Sequence, residues 1–173
     1  MTKWVFSLIG LLVVLVLAFH LAGIRYNVSE SYPSGLYRVD KGRFPKVGEL
    51  TLFCLPENQY TELAKERFYL KEGFCSSGTL PMTKRLVGIP GDVILKTKTG
   101  ISVNGQLEIE NTKSLTTDSF GRSLPLYLGG ELSQGMYFLI SEHSPKSWDS
   151  RYFGPVNGNH IIGAITPFLI WGK

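Results

Sequence analysis

Cysteine and histidine are scarce in this chain of 173 residues, which has two cysteines and three histidines. Cys54 and Cys75 lack the Cys-x-x-Cys spacing of thiol oxidoreductases, and a zinc site would need further ligands. The histidines (His20, His143 and His160) are not spaced as a ligand set. The composition therefore argues against a thiol oxidoreductase and a metalloenzyme, and no metal or other cofactor is expected.

Clustered positive charge is also missing. The formal net charge is only +4, and the lysines and arginines are scattered rather than arranged in a basic stripe interleaved with aromatic residues. The sequence also lacks internal repeats, low-complexity segments and the strand–helix alternation that is typical of a parallel sheet. It therefore predicts no nucleic-acid partner and one mainly β domain.

Charged residues are absent from Trp4 to Gly23, a run rich in Leu, Val, Ile and Phe. About 20 such residues can cross the hydrocarbon core of a bilayer as a helix. A cleaved signal peptide is the alternative, but cleavage after Ala22 would place His20 at a position that requires a small residue. The sequence therefore predicts a retained membrane anchor over residues 1–24, followed by a β-rich domain over residues 25–173.

The two cysteines follow the predicted anchor. A disulfide between Cys54 and Cys75 would close a loop of about 20 residues and contribute roughly 3 kcal/mol in the loop-entropy model. Two unrelated buried thiols are the alternative. Because a structural disulfide persists only in an oxidising compartment such as the periplasm, this pair predicts that the domain lies outside the cytoplasm.

Alternating apolar residues between turn residues predict several short strands. These strands are Gly35–Val39, Val93–Leu95, Ile101–Val103, Leu107–Ile109, Met136–Ile140 and His160–Ile170. The Asn104–Gly105 pair predicts a hairpin, because both positions tolerate positive φ. One helix is predicted from Asn58 to Phe68, with Leu63, Ala64, Arg67 and Phe68 on one face.

Two segments combine polar residues with turn or strand signals. Asn27–Tyr37 begins a few residues after the anchor, and its proline and glycine predict a bend that exposes Ser31. Thr83–Asp92 is an apolar, β-prone run in which Lys84 and Arg85 must point to opposite faces of a strand. One of them therefore faces the core, and a lysine loses its charge on burial far more readily than an arginine.

A third polar segment runs from Ser144 to Gly154. Asp149 and Arg151 are two residues apart in it, so an extended backbone places them on the same face, where they can pair. The alternative is a surface loop whose ion pair contributes at most about 1 kcal/mol.

Together the three segments resemble type I signal peptidases, and more closely their conjugative-transfer branch, often called TraF-like. Ser-x-Ser-x-Pro-x-Gly-Leu-Tyr, ending at Tyr37, resembles the nucleophile box. Lys-Arg-x-Val-Gly-x-Pro-Gly-Asp, from Lys84, resembles the lysine box, and Ser-x-Asp-Ser-Arg-Tyr-Phe-Gly-Pro, from Ser147, resembles the C-terminal box. General signal peptidases have methionine after the serine and proline two residues further on. Here Tyr32 follows the serine, and Pro33 comes directly after it. This departure favours the conjugative branch over housekeeping preprotein processing.

The resemblance implies a signal peptidase-like β-rich domain on a single transmembrane helix, and a serine endopeptidase with a Ser–Lys dyad. Ser31 is the implied nucleophile and Lys84 its general base. The backbone N–H of Ser31 and the hydroxyl of Ser29 are the implied oxyanion donors, and Ser147 is expected to orient the lysine amine. Asp149, paired with Arg85 or Arg151, is expected to shape the site.

Such a mechanism makes a strict demand on Lys84. At an ordinary pKa near 10.4, only about one lysine in a thousand is neutral at pH 7.4. Burial lowers the pKa of a lysine because it disfavours the charged form. The expected apolar wall is the run from Leu86 to Ile89 together with the membrane-proximal surface.

The implied substrate is a pilin precursor of a conjugation apparatus, docked in extended form beside the strand that bears Lys84. Its acyl-enzyme can pass to water or to the substrate's own amino terminus, which would give a circular pilin. Bacterial inner-membrane lipid and conjugative type IV secretion components are the other expected partners. A catalytically silent component of the secretion channel is the alternative function. A self-cleaving Ser–Lys repressor is disfavoured by the anchor and by the lack of a DNA-binding segment.

Overall fold

A long apolar helix opens the chain. The computed structural model describes residues 2–27, 31–109 and 112–171, and α1 (Thr2–Leu21) is its first element. The stretch Trp4–Leu21 is exposed and is long and apolar enough to span a membrane, a criterion that a signal sequence also meets. The chain turns after α1 at Gly23, where φ is +74° and a Cβ would lie 2.6 Å from the Val39 carbonyl oxygen. Only glycine fits there, so the link between helix and domain is short and closely packed.

The domain is built mainly of strands. Beyond α1, the described residues form eleven strands, two short helices and a 3₁₀ turn at Gly158–His160. The strands are β1 (Ile24–Asn27), β2 (Gly35–Asp40), β3 (Leu50–Phe53), β4 (Met82–Gly88), β5 (Val93–Lys96), β6 (Ile101–Val103), β7 (Gln106–Ile109), β8 (Gly129–Glu131), β9 (Met136–Ile140), β10 (Val156–Asn157) and β11 (Ile161–Ile170). The helices are α2 (Gln59–Glu66) and α3 (Ser150–Phe153).

The strands form two antiparallel sheets. The larger has seven strands in the order β1-β2-β11-β3-β4-β9-β10, and the smaller has four in the order β7-β6-β5-β8. Strand β4 is internal, paired with β3 on one side and with β9 on the other. The mainly β architecture predicted from the sequence is confirmed, and the internal strand β4 is the one that carries Lys84.

Two apolar clusters pack around β4. The first contains Leu86, Leu139 and Trp148, and the second contains Val87, Ile94 and Phe138. Leu86 and Val87 are neighbours in the chain and point to opposite faces, so the strand contributes to both clusters. The residues of β4 are therefore buried on both faces, except for Arg85, which is partly exposed.

The predicted hairpin is confirmed, whereas the ends of the predicted helix and of the last strand differ from the structure. Asn104 and Gly105 both have positive φ and join β6 to β7 in a two-residue hairpin, as predicted. The helix is shorter than predicted at both ends: Asn58 caps its N-terminus by accepting from the N–H groups of Tyr60 and Thr61, and the helix ends at Glu66. The prediction that Phe68 shares the apolar face is wrong: it follows the helix with φ 58° and is 92% exposed. The last strand begins at Ile161, because His160 belongs to the 3₁₀ turn.

The two cysteines form a disulfide. Cys54 follows β3 and Cys75 lies in the loop between α2 and β4, with a Cα–Cα distance of 5.7 Å. The bond ties this loop to the end of an internal strand of the large sheet.

Candidate active site

Lys84 lies in the middle of β4 and is only 2% exposed. Its Nζ lies 2.7 Å from the Oγ of Ser31. Burial lowers the pKa of Lys84 to about 8, although the nearby carboxylate of Asp149 raises it in part. Near pH 8 about half of these amines are neutral, and a neutral amine at this distance can accept the serine proton.

The apolar wall around Lys84 differs from the predicted one. Met82 and Leu86 share its face of the strand and belong to the first cluster. Within the predicted run, Val87 packs into the other cluster, and Ile89 is 40% exposed. The expected wall from Leu86 to Ile89 is therefore wrong apart from Leu86, because the strand alternates between two cores.

Ser31 lies in the connection between β1 and β2, and this connection is tied to the end of β9. The hydroxyl of Ser141 donates to the carbonyl oxygen of Ser31 at 2.8 Å. The hydroxyl of the buried Tyr32 donates to Glu142 Oε2 at 3.2 Å. Burial, and next the negative charge of Glu142, raise the pKa of Tyr32, so the phenol stays protonated and keeps donating. These contacts fix the backbone that presents the Ser31 hydroxyl to Lys84.

Ser147 lies beside Ser31 rather than in hydrogen-bond contact with the lysine. Its Oγ is 3.2 Å from the Oγ of Ser31, and no hydrogen bond joins Ser147 to Lys84 among the described residues. Ser147 is therefore placed to orient the serine hydroxyl instead of the amine. Ser29, the implied oxyanion donor, lies outside the described residues.

Asp149 and Arg151 form a fully buried pair behind the site. The guanidinium donates to both carboxylate oxygens, with Nε–Oδ1 at 2.8 Å and Nη2–Oδ2 at 2.7 Å. Both side chains are 0% exposed, so the surface-pair alternative is wrong. Asp149 also accepts the N–H of Ser141 at 3.0 Å, and this links the pair to the residue that holds Ser31.

Arg85 does not pair with Asp149. It points away from Lys84, as the strand alternation predicts, and forms a salt bridge with Glu142. The alternative pairing of Asp149 with Arg85 is therefore wrong. Arg85 is connected to the nucleophile segment only indirectly: its partner Glu142 also accepts a hydrogen bond from Tyr32, the residue after Ser31.

Sequence reasoning did not single out Ser141 and Glu142. They come directly after β9, a strand that ends in buried apolar residues. Polar residues immediately after such a strand are frequent members of sites, and this position was the available signal.

A groove of about 870 Å³ opens beside the Ser–Lys pair. Ser31, Lys84 and Ser147 line it, together with residues of two segments outside the large sheet, 67–74 and 115–124. A cleft of this size, with a nucleophile and a base in its wall, can hold an extended peptide across the serine hydroxyl.

The sequence profile of the family described as Signal peptidase, peptidase S26, matches residues 1–171. The chain belongs to this family, and the family predicted from the three segments is thereby confirmed. The chain is 37% identical over 173 residues to a plasmid transfer protein TraF from Escherichia coli, covering 99% of this chain and 97% of that protein. It is 36% identical over 148 residues to a conjugal transfer protein TraF from Agrobacterium fabrum, covering 85% and 82%.

A crystal structure of a signal peptidase I from Enterococcus faecalis matches with a TM-score of 0.44 and 22% identity. The match covers 72% of this chain and 98% of that chain.

Proposed function

We propose that the protein is a membrane-anchored serine endopeptidase in which Ser31 is the nucleophile and Lys84 the general base. The observation that carries the proposal is the 2.7 Å distance from Nζ to Oγ, made by a lysine that is 2% exposed. Lys84 makes no salt bridge among the described residues, so desolvation of its charge is not offset by direct pairing with a carboxylate. This is the environment that a lysine base requires.

In the proposed reaction, neutral Lys84 takes the proton of Ser31 as Oγ attacks the peptide carbonyl carbon. The resulting ammonium then gives this proton to the leaving amine, and the C–N bond breaks. An acyl-enzyme remains on Oγ. Water, or an amino group of the substrate, next attacks the acyl carbon, loses its proton to Lys84 and releases Ser31.

The tetrahedral intermediate needs hydrogen-bond donors for its oxyanion. The backbone N–H of Ser31 and the hydroxyl of Ser29 are the proposed donors. Asp149 and Arg151 take no proton in this scheme. They hold Ser141, which in turn fixes the carbonyl group of Ser31.

The proposed substrate is a pilin precursor of a conjugation system, and conjugative type IV secretion components are the proposed partners. The relatives named for plasmid and conjugal transfer support this assignment. We propose that α1 is a retained anchor in the bacterial inner membrane, with residues 25–173 in the periplasm. The disulfide supports an oxidising compartment, and the length and apolar character of α1 support the anchor.

The test is the intact mass of the pilin precursor after co-expression with wild type, Ser31→Ala, Lys84→Ala or Ser34→Ala. Ser34→Ala is the matched control, a serine three residues from the nucleophile with no side-chain hydrogen bond among the described residues. We expect a shortened product only with wild type and Ser34→Ala. A product lighter by one further water would indicate cyclisation. A precursor unchanged in all four cases would favour the silent channel component.

A further inference from the structure

Three exposed phenylalanines line the groove that contains Ser31 and Lys84. Phe68, Phe74 and Phe120 are 92%, 77% and 80% exposed. A single exposed apolar side chain is ordinary, but a contiguous apolar patch on a groove indicates an interaction site. The three come from separate parts of the chain, and the fold brings all of them to the lining of one groove.

Phe68 occupies a backbone conformation that disfavours it. Its φ of 58° is left-handed, a conformation that strains the backbone of a non-glycine residue. Since 92% of the residue is in solvent, burial of the ring in the core does not offset this strain. A strained and exposed aromatic residue in the lining of the groove that contains Ser31 fits a role in ligand binding.

The other two phenylalanines lie on tethered segments. The carboxylate of Asp118 accepts the N–H groups of Phe120 and Arg122, and the Arg122 guanidinium lies 4.9 Å from the centre of the Phe120 ring. The adjacent Cys75 joins the Phe74 segment to the large sheet through the disulfide. Because both segments are held in place, a ligand need not order them on binding.

The same groove carries positive charge. Besides Lys84, four basic residues line it and form no salt bridge among the described residues, namely Arg25, Arg67, Lys71 and Lys146. The one carboxylate in the lining, that of Asp118, is already paired with Arg122. The groove lining therefore contains both apolar rings and basic side chains that have no carboxylate partner among the described residues.

We propose that this aromatic and cationic rim binds a substrate segment that contains apolar residues and carboxylates, at a distance from the cleaved bond. The inference rests on the proposed function, because it takes the groove as the substrate path. Anionic lipid shares this chemistry. A peptide is favoured because the rim is continuous with Ser31 and Lys84, and an extended peptide that crosses the dyad must continue along the groove.

The test uses full-length Ser31→Ala in zwitterionic detergent, which can bind a peptide without cleaving it. The probes are three peptides of equal length, each labelled with the same neutral fluorophore. The first contains leucine and glutamate, the second leucine and lysine, and the third serine and glutamate. We expect the leucine–glutamate peptide to bind about tenfold more tightly than either other peptide, since only this peptide satisfies both the rings and the cations.

Charge variants locate the binding. Lys71→Glu with Lys146→Glu should weaken leucine–glutamate binding about tenfold and strengthen leucine–lysine binding, because two exposed charges are reversed. Lys41→Glu, an exposed lysine outside the groove lining, should change neither. Equal binding of the three peptides, or an equal effect of Lys41→Glu, would overturn the proposal.

Phe68→Gly separates binding from folding. Glycine adopts positive φ freely, so the melting temperature should stay level or rise while leucine–glutamate affinity falls about threefold to tenfold. Unchanged affinity would remove Phe68 from the rim. If the charge variants instead weaken binding to anionic vesicles and leave peptide binding intact, the rim is a lipid surface and the peptide proposal fails. Peptide selectivity in a protein that cleaves no pilin would reject the proposed function and retain the rim.

Discussion

Lys84 combines two properties that oppose one another. Its burial in β4 makes the amine a usable base, since the pKa falls to about 8, but the same burial destabilises the fold whenever the amine is charged. Activity and stability therefore both depend on the protonation of one side chain, and both increase when the amine loses its proton.

The first prediction concerns the pH dependence of activity. We expect kcat/KM to increase about tenfold per pH unit up to about pH 8 and then to level off, because only neutral Lys84 accepts the serine proton. The measurement is a pH–rate profile on a peptide substrate, with circular dichroism as the check on folding. A profile that is flat from about pH 6 to 9 would contradict a lysine base.

The second prediction concerns stability. The pKa of Lys84 is lower in the folded chain than in the unfolded one, so the unfolded chain binds more protons between about pH 8 and 10.5, and stability rises with pH in that window. Lys84→Met should therefore be more stable than wild type at pH 7, by up to about 3 kcal/mol, and the difference should shrink towards pH 10. Thermal unfolding at both pH values measures this, and a variant less stable than wild type at pH 7 would refute it.

The third prediction concerns Ser141, which we assign as a positioning residue. Ser141→Ala loses the hydrogen bond to the Ser31 carbonyl, and we expect kcat to fall about tenfold with KM nearly unchanged. The matched control is Ser150→Ala, another buried serine, whose hydroxyl accepts from the N–H of Leu139 in β9 and makes no contact with Ser31. That variant should lose similar stability and keep its kcat; equal losses of kcat would make Ser141 merely structural.

At the scale of elements, the end of β9 organises the site. It contributes Ser141, which contacts both Ser31 and Asp149, and Glu142, which contacts Tyr32 and Arg85. The two ion pairs at this end differ sharply in exposure, and their energies should differ accordingly.

The fourth prediction compares these pairs. Asp149→Ala leaves the fully buried Arg151 without its carboxylate, and we expect a loss of about 3–5 kcal/mol in the free energy of unfolding. Glu142→Gln breaks the pair with Arg85, whose side chains are 35% and 28% exposed, and should cost about 1 kcal/mol or less. Urea unfolding of both variants measures the contrast, and losses of equal size would show that burial does not set the energies.

The sequence predicted those features that depend only on residues close together in the chain. Asn104–Gly105 predicted its hairpin. The pairing of Asp149 with Arg151 was also predicted, but from an extended backbone, whereas Asp149 caps the N-terminus of α3 and Arg151 lies in its first turn. The end of α2 was missed, because the apolar Phe68 continued the helical period while the backbone had already turned. That Asp149 and Arg151 are buried was not predictable, since it depends on β9 and the surrounding loops packing over them.

The contact between Ser31 and Lys84 joins residues that are far apart in the chain. The two residues are 53 positions apart, and nothing local to either segment requires their contact. Only the resemblance of the three segments to a known family predicted it, and the family match agrees. The contact with Ser141 was missed, because hydrogen bonds between remote loops leave no pattern in the sequence.

At the scale of the whole molecule, the disulfide gives the fifth prediction. Alkylation of the native protein without reductant should leave Cys54 and Cys75 unmodified, and mild reduction should lower the melting temperature, consistent with a contribution of about 3 kcal/mol. Mass spectrometry and thermal unfolding measure the two effects. Free thiols that label in protein isolated from the periplasm would contradict the oxidising location.

In the proposed function, the short passage from α1 through Gly23 into β1 determines how the protein encounters its substrate. With α1 in the bilayer, the nucleophile lies only ten residues beyond Leu21, so the catalytic groove cannot leave the membrane by more than about 35 Å. Enzyme and membrane-bound precursor then search for each other by lateral diffusion in a plane. Turnover should follow the number of molecules per area of membrane, and releasing the enzyme from its helix would slow it by dilution into three dimensions even with every catalytic atom in place.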